Sequence, residues 1–152
     1  MIKVVKIGGN VIDDAAALER FLTKFAALEG PKMLIHGGGK LATRLSAQLG
    51  IETQMIEGRR VTDRDTLDVV TMVYAGLVNK QSVARLGALG CKAIGLSGAD
   101  ANISPAVRRA PKPINYGYVG DIVTERMNVP FLASLVEQGI VPVFCAITPD
   151  EQ

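Results

Sequence analysis

Apolar positions along the chain alternate between two rhythms. Residues 2–7, Ile-Lys-Val-Val-Lys-Ile, are rich in β-branched side chains and stop at Gly8-Gly9, which predicts a strand ending in a turn. From Asp13-Asp14 the spacing changes: Leu18, Phe21, Leu22, Phe25 and Leu28 recur at three and four, one stripe of a helix that ends at Gly30-Pro31. The unit then repeats, with a strand over 32–36, a break at Gly37-Gly38-Gly39, and Leu41, Leu45 and Leu49 at helical spacing up to Gly50. Residues 51–61 fit a short strand. Thr62-Asp63-Arg64-Asp65 resembles a capping box with Asp in place of Glu, which makes Thr62 the expected N-cap. Leu67, Val70, Thr71 and Tyr74 carry that helix onward, with a kink expected at Gly76 and a further helical stretch over 82–89 before Gly90. A buried strand is predicted over 92–97. The run 102–120, with Pro105, Pro111 and Pro113, predicts an extended excursion or hairpin. Asn128 is the expected cap of a helix reaching Gln138, and 140–147 predicts a last apolar strand.

Strands alternating with helices over short connections define an α/β fold, a mostly parallel sheet sandwiched between helices through right-handed crossovers. The 152 residues amount to one domain and show no internal repeat. The last strand runs into Thr148-Pro149-Asp150-Glu151-Gln152, turn chemistry with no element after it, so the chain reads as part of a larger architecture.

Composition narrows the function classes. Sixteen glycines exceed the roughly 7% of average proteins and follow no collagen-like period, so they mark tight loops. A net charge of +2 with basic and acidic residues interleaved gives no support to a nucleic-acid partner. The longest nearly apolar stretch, 69–78, is about half a membrane span, and the first residues carry no cleavage signature. A cytoplasmic protein without a membrane partner is expected. Cys91 and Cys145 sit in apolar segments without a CxxC partner and read as buried thiols. The single histidine, His36, excludes a His-rich metal site, and no residue is assigned to a metal.

Chemistry is expected beyond the carboxyl ends of the strands, where Gly8-Gly9, Gly37-Gly38-Gly39 and Ser97-Gly98 fall. Glycine lets backbone N–H groups point inward, and a following helix adds the positive end of its dipole, so converging loops of this kind form an anion site. Neither GxxxxGK[ST] nor GxGxxG is present. Lys6, in an otherwise apolar strand two residues before Gly8, either stabilises developing negative charge or snorkels from the sheet edge. Arg59 and Arg60 precede a helix start, where the dipole opposes cations, so an anionic partner is expected for at least one: a substrate carboxylate or an internal acid. Asp100 reads as a turn residue, with orientation of a lysine or a metal as the other reading.

Together, Lys6-Ile-Gly-Gly9, His36-Gly-Gly-Gly39, Gly58-Arg-Arg-Val-Thr-Asp63, Val78-Asn-Lys80 and Gly95-Leu-Ser-Gly-Ala-Asp100 resemble the acetylglutamate kinases of the amino acid kinase family, over essentially the whole chain. The resemblance implies phosphoryl transfer from MgATP to the side-chain carboxylate of N-acetyl-L-glutamate, or another N-acylglutamate, in arginine biosynthesis. It implies that Lys6 stabilises the transferring phosphoryl group, that Gly8, Gly9, Gly38 and Gly39 supply backbone donors, and that Arg60 fixes the substrate's α-carboxylate. Arg59 and His36 receive no role. A homodimer through this part of the chain is implied too. Met1 begins at the first strand without the N-terminal helix of arginine-inhibited members, which argues against feedback inhibition. Family members continue into a nucleotide-binding portion, so residues 1–152 are expected to be an acylglutamate-binding and dimerisation portion, slow or inactive alone. Ala99 replaces the family's usual lysine, and 102–118 falls where the family has a flap beside the acyl pocket. There Arg108, Arg109 and Lys112 form a solvated basic loop or meet a carboxylate-bearing acyl group such as succinyl. Two other readings stand: a non-catalytic acidic-ligand-binding or dimerisation module of the same fold, and a kinase of a free amino acid.

Overall fold

The computed structural model describes residues 1–150. β1 (Lys3–Ile7) leads through a short helix, α1 (Gly9–Ile12), into α2 (Ala15–Ala26), β2 (Lys32–His36) and α3 (Gly39–Gln48). A small hairpin follows, β3 (Met55–Ile56) and β4 (Arg59–Arg60), and then α4 (Arg64–Thr71) and α5 (Asn79–Ala88). β5 (Ala93–Leu96), the hairpin of β6 (Ala106–Arg108) and β7 (Gly120–Ile122), α6 (Val129–Glu137) and β8 (Val141–Cys145) complete the chain. The main sheet is four-stranded, in the order β1-β2-β8-β5, and every pairing in it is parallel.

Alternation along the strands sends successive side chains to opposite faces, and each face packs its own core. Val5 and Ile7 of β1, Leu34 of β2 and Val141 and Val143 of β8 meet Leu22, Phe25, Ala42, Val73 and Leu86 from the helices. On the other face Ile94, Leu96 and Phe144 meet Phe131 and Leu135 of α6. The sheet lies between helices as expected, yet α6 covers only the β5–β8 side of its face. On the β1 side Val4 is 58% exposed, and Lys6 shares its orientation.

Three expectations need correction. Thr62 does not cap α4: Asp63 does, its carboxylate accepting the Thr66 N–H at 2.8 Å. Thr62 is instead spent on pairing, its N–H donating to the Tyr116 carbonyl (2.9 Å) and its carbonyl accepting from Tyr118 N–H (2.7 Å). Gly117 lies against it at φ 76°, where a Cβ would run into the Thr62 carbonyl. At Gly76 the helix changes its winding rather than breaking: residues Met72–Val78 form a π-helix that joins α4 to α5 without interruption. The buried positions Val69 and Val73, then Val78, Ser82 and Leu86, explain why: the step of five between Val73 and Val78 needs one extra residue in the turn to keep the stripe on the sheet. The residues after β8 are also not idle, since the Ala106 N–H donates to the Pro149 carbonyl at 3.0 Å and ties them to the β6–β7 hairpin. Glu151 and Gln152 lie outside the described residues.

Candidate functional site

Because the sheet is parallel, its carboxyl ends share one edge, and Ile7, His36 and Cys145 stand side by side there. The glycine loops leave from that edge and run straight into helices. α1 starts on Gly8 and α3 on Gly38, neither with a side-chain cap and neither with an acidic residue in its first turn. The first N–H groups of such helices face outward unsatisfied, beside the positive end of the dipole. They are equipped to receive an anion.

Arg60 is carried to the same place by the β3–β4 hairpin. Glu57 and Gly58, at φ 51° and 74°, form its turn, the geometry that suits a two-residue connection. A hairpin of paired two-residue strands is marginal by itself. Arg60 anchors it: Nη2 donates to the Gly39 carbonyl and to Thr43 Oγ1, each at 2.7 Å, which fixes the guanidinium plane. Nη1 is buried and has no partner. No carboxylate of the described residues pairs with either arginine, so the internal-acid alternative for Arg60 falls away. Gly8, Gly9, Gly39, Thr43, Met55 and Arg60 line an open cleft of about 560 Å³.

A second cavity, about 470 Å³, continues from Arg60 under the β6–β7 hairpin. Its wall is mostly apolar and aromatic, with Leu67, Val70, Tyr74, Tyr116 and Tyr118 beside Arg59 and Arg60. That mixture, a hydrophobic chamber with a few polar groups, is usual for small-molecule sites. The hairpin's own cations are engaged elsewhere. Arg109 pairs with Asp121, and Arg108 stacks over the Tyr118 ring at 5.4 Å while donating to the Gly117 carbonyl. Lys112 is exposed.

The structure brings together Gly8, Gly9, Gly38, Gly39 and Arg60, and does not bring Lys6 to them. Lys6 is exposed, without a partner among the described residues, and lies on the sheet face away from the helix-packed core. Arg59 is exposed at the rim of the second cavity. Asp100 is a turn residue, its carboxylate accepting from the Ser97 N–H (2.6 Å) and hydroxyl (2.8 Å). Cys145 is buried, and burial pushes its thiol up; Cys91 is only half-buried, a correction to its expected burial.

Sequence reasoning missed Thr43, Tyr74 and the work of Asn79. His36 is buried at the sheet edge, where Nδ1–H donates to the Gly37 carbonyl (2.8 Å) and Nε2 accepts from Asn79 Nδ2 (3.0 Å). The same amide nitrogen donates to the Val143 carbonyl at 2.9 Å, so one side chain of α5 holds β2 and β8. Burial pushes the imidazole below its ordinary range, which keeps it neutral and suited to this double role. A Cβ at Gly95 would occupy the place of the Asn79 amide. The signal was present in the sequence as Asn79 on an otherwise buried helix stripe and Gly95 inside a strand.

The amino acid kinase family model matches residues 1–152. The chain belongs to this family. It is 54% identical to the acetylglutamate kinase of Phocaeicola vulgatus over 147 residues, covering 97% of this chain and 56% of that protein. The acetylglutamate kinase of Parabacteroides distasonis is 52% identical, with 98% and 58% covered, and that of Methanopyrus kandleri 39%, with 98% and 58%. The chain therefore spans little more than half the length of these relatives. Among solved structures, N-acetylglutamate synthase from Neisseria gonorrhoeae, complexed with coenzyme A and N-acetyl-glutamate, superposes at TM-score 0.76 with 20% identity, covering 97% of this chain and 34% of that one. An isopentenyl phosphate kinase superposes at 0.59 with 20% identity, covering 100% and 59%. Both show the amino acid kinase fold. No described helix is long and apolar enough to cross a membrane.

Proposed function

We propose that residues 1–152 are the acylglutamate-binding and dimerisation portion of a cytoplasmic kinase that phosphorylates the side-chain carboxylate of N-acetyl-L-glutamate. The observation that carries this reading is Arg60: a guanidinium fixed by Gly39 and Thr43, with Nη1 buried and free, beside two uncapped helix starts. A carboxylate is the natural complement of that nitrogen, and a phosphoryl or second carboxylate group that of the helix starts. In the proposed reaction a side-chain carboxylate oxygen attacks the γ-phosphorus of ATP, the bond to the β-phosphate oxygen breaks, and an acyl phosphate and ADP result. Gly8, Gly9, Gly38 and Gly39 would donate to the oxygens between which the phosphoryl group moves.

The donor set present suits phosphate oxygens. The described residues hold no group of three or more His, Cys, Asp or Glu fit for a metal, so Mg²⁺ is assigned to the ATP phosphates. We place the nucleotide mainly on the portion that the relatives have beyond the matched region. Lys6, on the uncovered face of β1, would complete its phosphoryl contact once that face is covered. The apolar cavity under the β6–β7 hairpin would take the acyl group, and the pairing of Arg109 with Asp121 favours acetyl over an acyl chain that bears a carboxylate.

Calorimetric titration of N-acetyl-L-glutamate into the chain, without nucleotide, tests the reading. Binding is expected, with Arg60→Ala weakening it at least thirtyfold, about 2 kcal/mol or more. Undiminished binding by the variant, or no binding by the folded native chain, rejects it. Tighter binding of N-succinyl-L-glutamate would reassign the acyl group.

A further inference from the structure

Tyr74 lies outside every motif that carried the family resemblance, yet it occupies the wall between the glycine loop and the cavity. Its ring lies against Gly38, where a Cβ would stand 3.1 and 3.2 Å from Cδ1 and Cε1. Its hydroxyl reaches the next residue. A Cβ on Gly39 would be 3.7 Å from Tyr74 Oη and 4.0 Å from Arg60 Nη2, so hydroxyl and guanidinium flank one point of the loop. Both side chains line the cavity under the β6–β7 hairpin.

Each brings an unused donor to that wall. The Tyr74 hydroxyl makes no hydrogen bond among the described residues, and Arg60 Nη1 is buried without one because Nη2 takes both Gly39 and Thr43. The Asp13 carboxylate, close enough to act on the Tyr74 phenol, is buried and also unpartnered. Burial raises the Tyr74 phenol above its ordinary range; the Arg60 charge opposes that rise and the Asp13 charge reinforces it. The phenol therefore keeps its proton at neutral pH and can only serve an incoming acceptor as a neutral donor.

We propose that Tyr74 is a second anchor for the carboxylate that Arg60 holds: Oη–H and Nη1–H donate to the same ligand carboxylate on the cavity side of Gly39. This rests on the acylglutamate reading, in which that group is the α-carboxylate. A carboxylate has lone pairs enough for both donors, and its arrival satisfies the buried Arg60 Nη1 and the unpaired Tyr74 hydroxyl at once. The ring would add a stiff apolar wall, so the ligand backbone is gripped by one charged and one neutral bond of fixed relative direction.

The test compares two ligands and two variants by calorimetry, with thermal melting alongside. N-acetyl-L-glutamate carries the α-carboxylate; 4-acetamidobutyrate is the same skeleton without it. Tyr74→Phe keeps the ring on Gly38 and removes only the donor. It is expected to weaken N-acetyl-L-glutamate about five- to tenfold and to leave 4-acetamidobutyrate within twofold. Tyr74→Leu, which keeps an apolar filler, must show at least the same loss for N-acetyl-L-glutamate. A Phe variant that binds N-acetyl-L-glutamate like the native chain overturns the proposal, as does an equal loss for both ligands, which marks a packing role. If Arg60→Ala abolishes binding while Tyr74→Phe changes nothing, only the Tyr74 anchor falls. If the native chain binds neither ligand, the functional reading falls and takes the anchor with it.

Discussion

Helices that begin away from the cleft start on side chains, and the two that begin in it start on glycine. Asp14 accepts from the Ala17 N–H, Asp63 from Thr66 and Asn128 from Phe131, so α2, α4 and α6 satisfy their first turns internally. α1 and α3 begin at Gly8 and Gly38 with no such bond. An unmade cap costs about 1 kcal/mol per helix, which a marginally stable domain bears only where something else compensates. The contrast teaches where to look for an anion: the donors left over from folding are those available for binding, and both sets open beside Arg60.

The contrast breaks most sharply if a cap is supplied where none exists. Gly8 has φ −97° and ψ 176°, ordinary extended backbone, and a Cβ there meets nothing within 4 Å. Gly8→Asp should fold normally, cap α1 from within, and repel an incoming carboxylate. N-acetyl-L-glutamate binding is expected to fall beyond tenfold while the melting temperature holds or rises; retained affinity would show that α1 is no part of the anion site. The reverse change is smaller. Asn128→Ala should destabilise the fold by about 1 kcal/mol in urea unfolding and leave ligand affinity within twofold, and a matching loss of affinity would erase the distinction. The least effect belongs to Asp63, whose carboxyl is held below its ordinary value of 3.8 by the Thr66 hydrogen bonds. A depressed folded value contributes stability above pH 3.8 that is lost as pH falls through it. Asp63→Asn, itself a good cap, should flatten the acid side of the melting-temperature profile and leave pH 7 unchanged.

The strands, the glycine loops and Asn128 were readable because each has a local cause: β-branching, φ freedom, a capping amide. Arg59 and Arg60 were readable as cations of which at least one needs an anion, and the motif resemblance singled out Arg60. The motif resemblance added the substrate class. What stayed hidden depends on long-range placement. Thr43 means nothing until α3 brings it under the β3–β4 hairpin, and Tyr74 looks like one more residue of an apolar stripe until it meets Gly38. Thr62 misled because it satisfies a capping pattern, but its backbone is claimed by a hairpin more than fifty residues later, as its bonds to Tyr116 and Tyr118 show. Lys6 was placed by its spacing from Gly8 and by the motif resemblance, and its side chain lies on the uncovered face of β1.

The π-helical stretch from Met72 to Val78 has a genetic corollary. Deleting any one of its residues would restore regular α-helical winding, and local propensity would favour the result. It would also turn everything downstream by about 100° relative to everything upstream. With α4 held in place, Asn79 would leave His36 and Val143 would lose its partner. Point substitutions there trade one side chain for another; a change of length re-addresses the whole helix. Drift in this lineage should therefore permit varied residues at the exposed positions Met72, Gly76 and Leu77 while holding the number of residues across 72–78 fixed.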